Sequence, residues 1–144
     1  MASWQGPAIW IYNDAMFNEH DFNSLLNIHE GGKRDDSTKI GKFGIGFNSC
    51  FHFTDVPSFV SGEYISFLDP HEKFLPKQRG IQINFLEDEN FRKLFNDQLA
   101  SYIGIEGCGF DKKYEGTLFR LPLRIHQSEI CDEIFNTSDV LKFL

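Results

Sequence analysis

The chain has 144 residues, 41% hydrophobic and 15% aromatic, the size of about one domain around one core. A formal charge of −7, with 14 basic residues spread along the chain, excludes a nucleic-acid module, which needs clustered Lys and Arg to neutralise phosphates. A small nucleotide stays compatible with the charge, because a local nest of backbone amides can hold phosphate inside an acidic protein.

In chain order, "PAIWIY" at 7–12 is a short continuous apolar run, which predicts a central strand covered on both faces. Asn18 then stands as N-cap with Asp21 three residues on, and Phe17 and Phe22 occupy the two positions of a hydrophobic staple. A helix starts there, with Phe22, Leu25, Leu26 and His29 on one face and Gly31 and Gly32 ending it. The segment "KRDDSTKI" at 33–40 is polar and without period, and reads as a loop able to act as a lid. After "GKFGIGFNSC" at 41–50, Phe47, Cys50 and Phe51 line a helical face until Pro57 forbids continuation.

"SFV" and "YISFL" flank Ser61 and Gly62, a pair suited to a hairpin turn. Ile81, Ile83 and Phe85 alternate with polar residues as in a half-buried strand, and Phe91, Leu94, Phe95 and Leu99 form the apolar face of one helix. In "GTLFRLPLR" at 116–124, Thr117, Phe119, Leu121 and Leu123 share one strand face. Arg120 and Arg124 share the other, read as solvated, and Pro122 favours an edge position. "TSDVLKFL" reads as an incomplete terminal helix capped by Ser138, with Val140, Leu141 and Leu144 apolar.

Cys50, Cys108 and Cys131 form no C-x-x-C pair, which indicates neither a disulfide framework nor a zinc knuckle and suits a reduced, intracellular setting. Cys50 reads as a buried structural thiol. The opening "MASWQGPAIW" has no leader pattern, and no apolar run approaches the roughly 18 residues of a membrane span, so a soluble, cytoplasmic protein without a membrane partner is expected. His52, Asp55, Asp69 and His71 match no compact ligand spacing, and no metal ligand is assigned.

The three glycines Gly41, Gly44 and Gly46 fit neither known phosphate fingerprint. Lys42 is followed by Phe43 rather than the Ser or Thr of a P-loop, and a dinucleotide fingerprint on Gly44 and Gly46 fails at Ser49. A flexible loop that ends in glycines directly before a helix survives as an anion-binding arrangement. Its alternative is a glycine-rich helix entry that binds nothing.

The order of strand, capped helix, polar lid, "GKFGIGFNS" and "GTLFRLPLR" resembles the nucleotide pocket shared by gyrase, the ninety-kilodalton heat-shock chaperone, histidine kinases and mismatch-repair ATPases. "WQGPAIWIYNDAMFNEHDF", "GKFGIGFNSCFHFTDVPSFVSG" and "FLDPH" are similar to the sacsin-like branch, and the resemblance covers most of the chain. It implies a two-layer α/β sandwich of Bergerat type, a mixed and mainly antiparallel sheet with helices on one face, as a single N-terminally truncated domain over 1–144. It also implies that Gly41, Lys42, Phe43, Gly44, Ile45, Gly46 and Phe47 wrap the phosphates of ATP or ADP beneath a lid at about 33–47, with Lys39 beside them. Thr117, after Gly116, takes the adenine-binding threonine position, and either Asn13 or Asp14 takes that of the adenine-selecting aspartate.

Two departures qualify what the resemblance implies. "NDAMF" replaces the glycine-bearing D-x-G-x-G after the strand, and the E-x-x-x-N box that activates water and holds Mg²⁺ would precede the first strand, ahead of Met1. Glu19 and Asn23 spell E-x-x-x-N but fall after the strand, on what reads as an exposed helix face. The expectation is therefore a nucleotide-binding module of a chaperone with protein clients or co-chaperones, hydrolysis-deficient by itself and prone to self-association through the face a first helix would cover. The alternative is a non-hydrolysing protein-interaction scaffold that no longer binds nucleotide.

Overall fold

A computed structural model of the chain describes residues 2–27, 47–75 and 77–142. Five strands form one sheet: β1 (Ala8–Asn13), β2 (Ser58–Gly62), β3 (Tyr64–Leu68), β4 (Gly80–Asn84) and β5 (Tyr114–Pro122), in the order β1-β5-β2-β3-β4. Every pairing is antiparallel, so among the described residues the mixed sheet expected from sequence is antiparallel throughout. Around it lie helices α1 (Glu19–Asn27), α2 (Glu89–Leu94), α3 (Asn96–Leu99) and α4 (Thr137–Val140), with 3-10 turns at Ala2–Gln5, Ser49–His52 and Ile105–Gly107.

Strand alternation sends Phe59 and Phe119 to one face and Val60 and Leu118 to the other. On the first face Phe59 packs with Phe22 and Leu25 of α1, joined by the half-buried Phe17, Phe47, Tyr64 and Phe119. On the second, Val60, Ile65 and Leu118 pack with Trp4, Phe91, Leu99 and Tyr102. Helices thus cover both faces rather than one.

Local signals behave as the residues dictate at α1. Asn18 Oδ1 accepts from Asp21 N at 3.0 Å while Asp21 Oδ2 accepts from Asn18 N at 2.9 Å, a reciprocal capping box. Phe17 and Phe22 meet at 5.6 Å between ring centres, the expected staple. The β2–β3 turn sits one residue later than predicted: Ser61 pairs with Tyr64, leaving Gly62 and Glu63 as a two-residue loop. Gly62, at φ +59°, supplies the positive φ that the first position of such a loop requires.

Several long-range expectations change. The "PAIWIY" strand, β1, is an edge and not a central strand, with Ile11 and Tyr12 48% and 46% exposed. Strand β5 is interior, and Pro122 is tolerated because it is the last residue of the strand, opposite Ala8. The predicted helix over 91–99 breaks at Phe95 (φ −111°, ψ 21°) into α2 and α3. The break resets the helical phase, so Phe91 and Leu99 are buried while Leu94 is 75% and Phe95 37% exposed. Asn136, not Ser138, caps α4, accepting from Asp139 N at 3.0 Å. Of its expected apolar face, Val140 is buried and Leu141 exposed.

Candidate functional site

Lys39, Gly41, Lys42, Phe43, Gly44, Ile45 and Gly46 lie outside the described residues, as do His29 and the rest of the lid before Phe47. Asn13, Asp14, Phe47, Gly116 and Thr117 are described, and Asn13, Gly116 and Thr117 meet where β1 ends against β5. Asn13, the last residue of β1, pairs with Thr117 of β5. Phe47 packs on Phe119, two residues further along β5, at 5.8 Å between ring centres.

Thr117 is fully buried and its hydroxyl donates to Ala15 O at 2.8 Å. Ser61 Oγ lies 2.8 Å from Thr117 Oγ1 and 3.1 Å from Gly116 O, and accepts from Phe17 N at 2.8 Å. The two hydroxyls thus bind the chain from Ala15 to Phe17 onto the sheet. Neither Ser61 nor Ala15 stood out in the sequence, where Ser61 read as a turn residue. The signal for its role is the cross-strand pairing Ser61↔Thr117, which exists only once β2 and β5 are in register.

Gly116 is fixed by crowding. A Cβ there would lie 2.8 Å from Asn13 O and 2.9 Å from Tyr12 Cε2, so the absence of a side chain lets β1 approach. Asn13 and Asp14 are exposed. Asn13 Oδ1 accepts from Ala15 N at 2.8 Å, and its NH2 group carries no hydrogen bond among the described residues. An exposed carboxamide beside a buried threonine can offer a donor and an acceptor to the edge of a base.

A cleft of about 350 Å³ adjoins this region, walled by residues that include Met16, Phe17, Ser61 and Lys113. Glu19 and Asn23 reach its wall from α1, and both are exposed, in keeping with the exposed face read for them. A second cleft of about 260 Å³ opens near the other end of β5, between Trp4, Lys73, Phe74 and His126, away from Asn13 and Thr117.

Both arginines of β5 and its extension differ from the solvated reading. Arg120 is 2% exposed, donating to Trp4 O and Gly6 O and lying 4.8 Å from the Trp4 ring centre and 5.6 Å from that of Trp10. Burial lowers its pKa from the usual arginine value. Arg124 pairs with Asp55 at 2.7 Å and donates to the carbonyls of Phe51, His52, Thr54 and Glu133. The Ala2–Gln5 turn and the residues after the glycine loop cover this face, which strand alternation alone does not foresee.

Cys50 and Cys108 are buried, and burial pushes both thiols up to about 12, consistent with inert structural thiols. Three of the four groups weighed as a metal cluster have separate duties. Asp69 accepts from Lys73 N, Phe74 N and Leu75 N, Asp55 holds Arg124, and His71 lies 3.9 Å from Glu129. No helix among the described residues is long and apolar enough to cross a membrane.

A family model described as the Sacsin domain matches residues 1–144. Sacsin of Homo sapiens is 40% identical over 147 residues, an alignment that covers 99% of this chain and 3% of that protein. The chain therefore spans a small part of the length of the curated relative it matches.

Proposed function

The chain belongs to the sacsin domain family, and from that premise we propose that it is an ATP- or ADP-binding module of a sacsin-like chaperone. The observation that supports this most is the convergence of three segments far apart in sequence: Asn13 faces Thr117 across β1 and β5, and Phe47, which follows the glycine loop, packs on Phe119. The Asn13 carboxamide is suited to the adenine edge, and the glycine spacing of the Gly41–Gly46 sequence suits phosphate binding. The hydrolytic Glu and Mg²⁺-binding Asn of the superfamily find no counterpart in Glu19 and Asn23, which sit on the exposed side of α1.

A scan of thermal stability with ADP, ATP and Mg²⁺ tests the reading. At about 100 times the dissociation constant, a ligand adds roughly 2.7 kcal/mol, a rise of several degrees in a domain of this size. Gly44→Val abolishes the rise if the loop holds phosphate. No shift at millimolar nucleotide contradicts the proposal.

One observation favours the interaction-scaffold reading instead. Edge strand β1 carries exposed Ile11 and Tyr12, and Thr117 already spends its hydroxyl proton on Ala15 O. Among the described residues no strand pairs with the outer side of β1, and such an edge is a surface to which a partner strand can add. Nucleotide-independent self-association or partner capture, lost on Ile11→Lys, separates the two readings.

A further inference from the structure

His52 Nδ1 or Nε2, the Cys131 thiol and a Glu133 carboxylate oxygen all lie within 4.8 Å of one another. From this geometry we infer that the three form a binding site for zinc, or a divalent ion of similar softness. One thiolate, one imidazole and one carboxylate are the ligand types zinc takes in tetrahedral sites, with a fourth position left for water or a further group. Magnesium and calcium prefer all-oxygen sets.

The ligands come from two segments almost eighty positions apart, which is why spacing along the sequence conceals the site. His52 ends the 3-10 turn at Ser49–His52, and Cys131 and Glu133 lie between β5 and α4. The two segments are already tied together. Arg124 Nη1 donates both to His52 O at 2.7 Å and to Glu133 O at 3.3 Å, so one buried guanidinium fixes the backbone on either side of the site. Its charge is met by Asp55 at 2.7 Å, leaving the His52–Cys131–Glu133 group the carboxylate charge that a cation requires. A hydrogen bond from Ser128 N to Cys131 O at 3.3 Å, and Phe53 against Phe135 at 5.1 Å between ring centres, brace the flanks. His52 and Glu133 are exposed and Cys131 is half-buried, so an ion can enter without opening the core.

The metal would clamp the segment leaving the glycine loop to the C-terminal segment. The role is structural, and the clamp is independent of the nucleotide reading. Because thiol and imidazole must lose protons to bind, affinity falls as pH is lowered.

The test is titration of the reduced, tag-free chain with zinc against a chromophoric chelator, together with the absorption spectrum of the cobalt form. One ion per chain and a thiolate-to-cobalt charge-transfer band are expected, with a melting temperature that rises until one equivalent is bound. Cys131→Ser removes the band, and Cys131→Ser, His52→Ala and Glu133→Gln each weaken zinc by at least the roughly 10-fold that loss of a partner behind a ligand costs. These positions are not in the core, and circular dichroism verifies that each variant is folded. A cobalt spectrum without the thiolate band, a band that persists in Cys131→Ser, or zinc affinity unchanged in all three variants overturns the inference.

Discussion

Arg124 and Asp55 form an ion pair of 2.7 Å in which the guanidinium is 1% and the carboxylate 23% exposed. The pair joins the residues that follow the glycine loop to the extension of β5, and the same guanidinium satisfies four backbone carbonyls. Removing one member of a buried pair leaves the other charge uncompensated, at a cost of about 3–5 kcal/mol. The partial exposure of Asp55 reduces this, and Asp55→Ala is expected to lose about 2–3 kcal/mol in urea unfolding. A loss below about 0.5 kcal/mol would place the pair with ordinary surface bridges.

Gly116 sets how closely β1 and β5 approach beside Asn13. Its missing Cβ would stand 2.8 Å from a backbone oxygen, and backbone yields less easily than a side chain. Gly116→Ala should destabilise by about 1–3 kcal/mol through overpacking. It should also displace the amide resonances of Asn13 and Ala15 in a nitrogen–proton correlation spectrum more than those of β4. Wild-type stability in this variant would show that the approach is not tight.

The cysteines predict both a reactivity order and an alkaline limit. Cys131 should react with a thiol reagent in the native state, whereas Cys50 and Cys108 should wait for unfolding, being buried with thiols raised to about 12. Because their folded pKa lies above the value of 9.0 for an exposed thiol, the unfolded chain ionises first. Their contribution to stability is therefore complete below pH 9 and is lost as pH rises toward about 12. Tyr102, fully buried with its hydroxyl 2.7 Å from Ser58 Oγ, is shifted upward by the same burial and adds to the loss. Urea midpoints that stay level from neutral pH through this alkaline range would contradict the assignment.

What the sequence made legible follows the range over which each interaction acts. The Asn18–Asp21 capping box and the Phe17–Phe22 staple join residues three and five positions apart, so local chemistry decides them. The alternation read in β4 and β5 likewise reflects a period carried by each strand alone. Sheet position does not. "PAIWIY" has the apolar run of a covered strand, but its place at the edge depends on which strand pairs with β5. Arg120 alternates as a solvent-facing residue should, yet Trp4 and Trp10 close over it, a contact that spans more than a hundred positions. In the candidate site, Thr117 and either Asn13 or Asp14 were named from family resemblance, and strand register sets Asn13 opposite Thr117; Ser61, which bonds to Thr117, was hidden until that register was known.

Calorimetric titration of ADP into the wild-type chain and into Asn13→Ala tests the central claim most directly. The account predicts one site per chain in the wild type, with binding in the variant weakened by about 5-fold or more, as loss of a hydrogen-bonded base contact of about 1–3 kcal/mol implies. Absence of heat at millimolar ADP, or equal affinity in the two proteins, would contradict it.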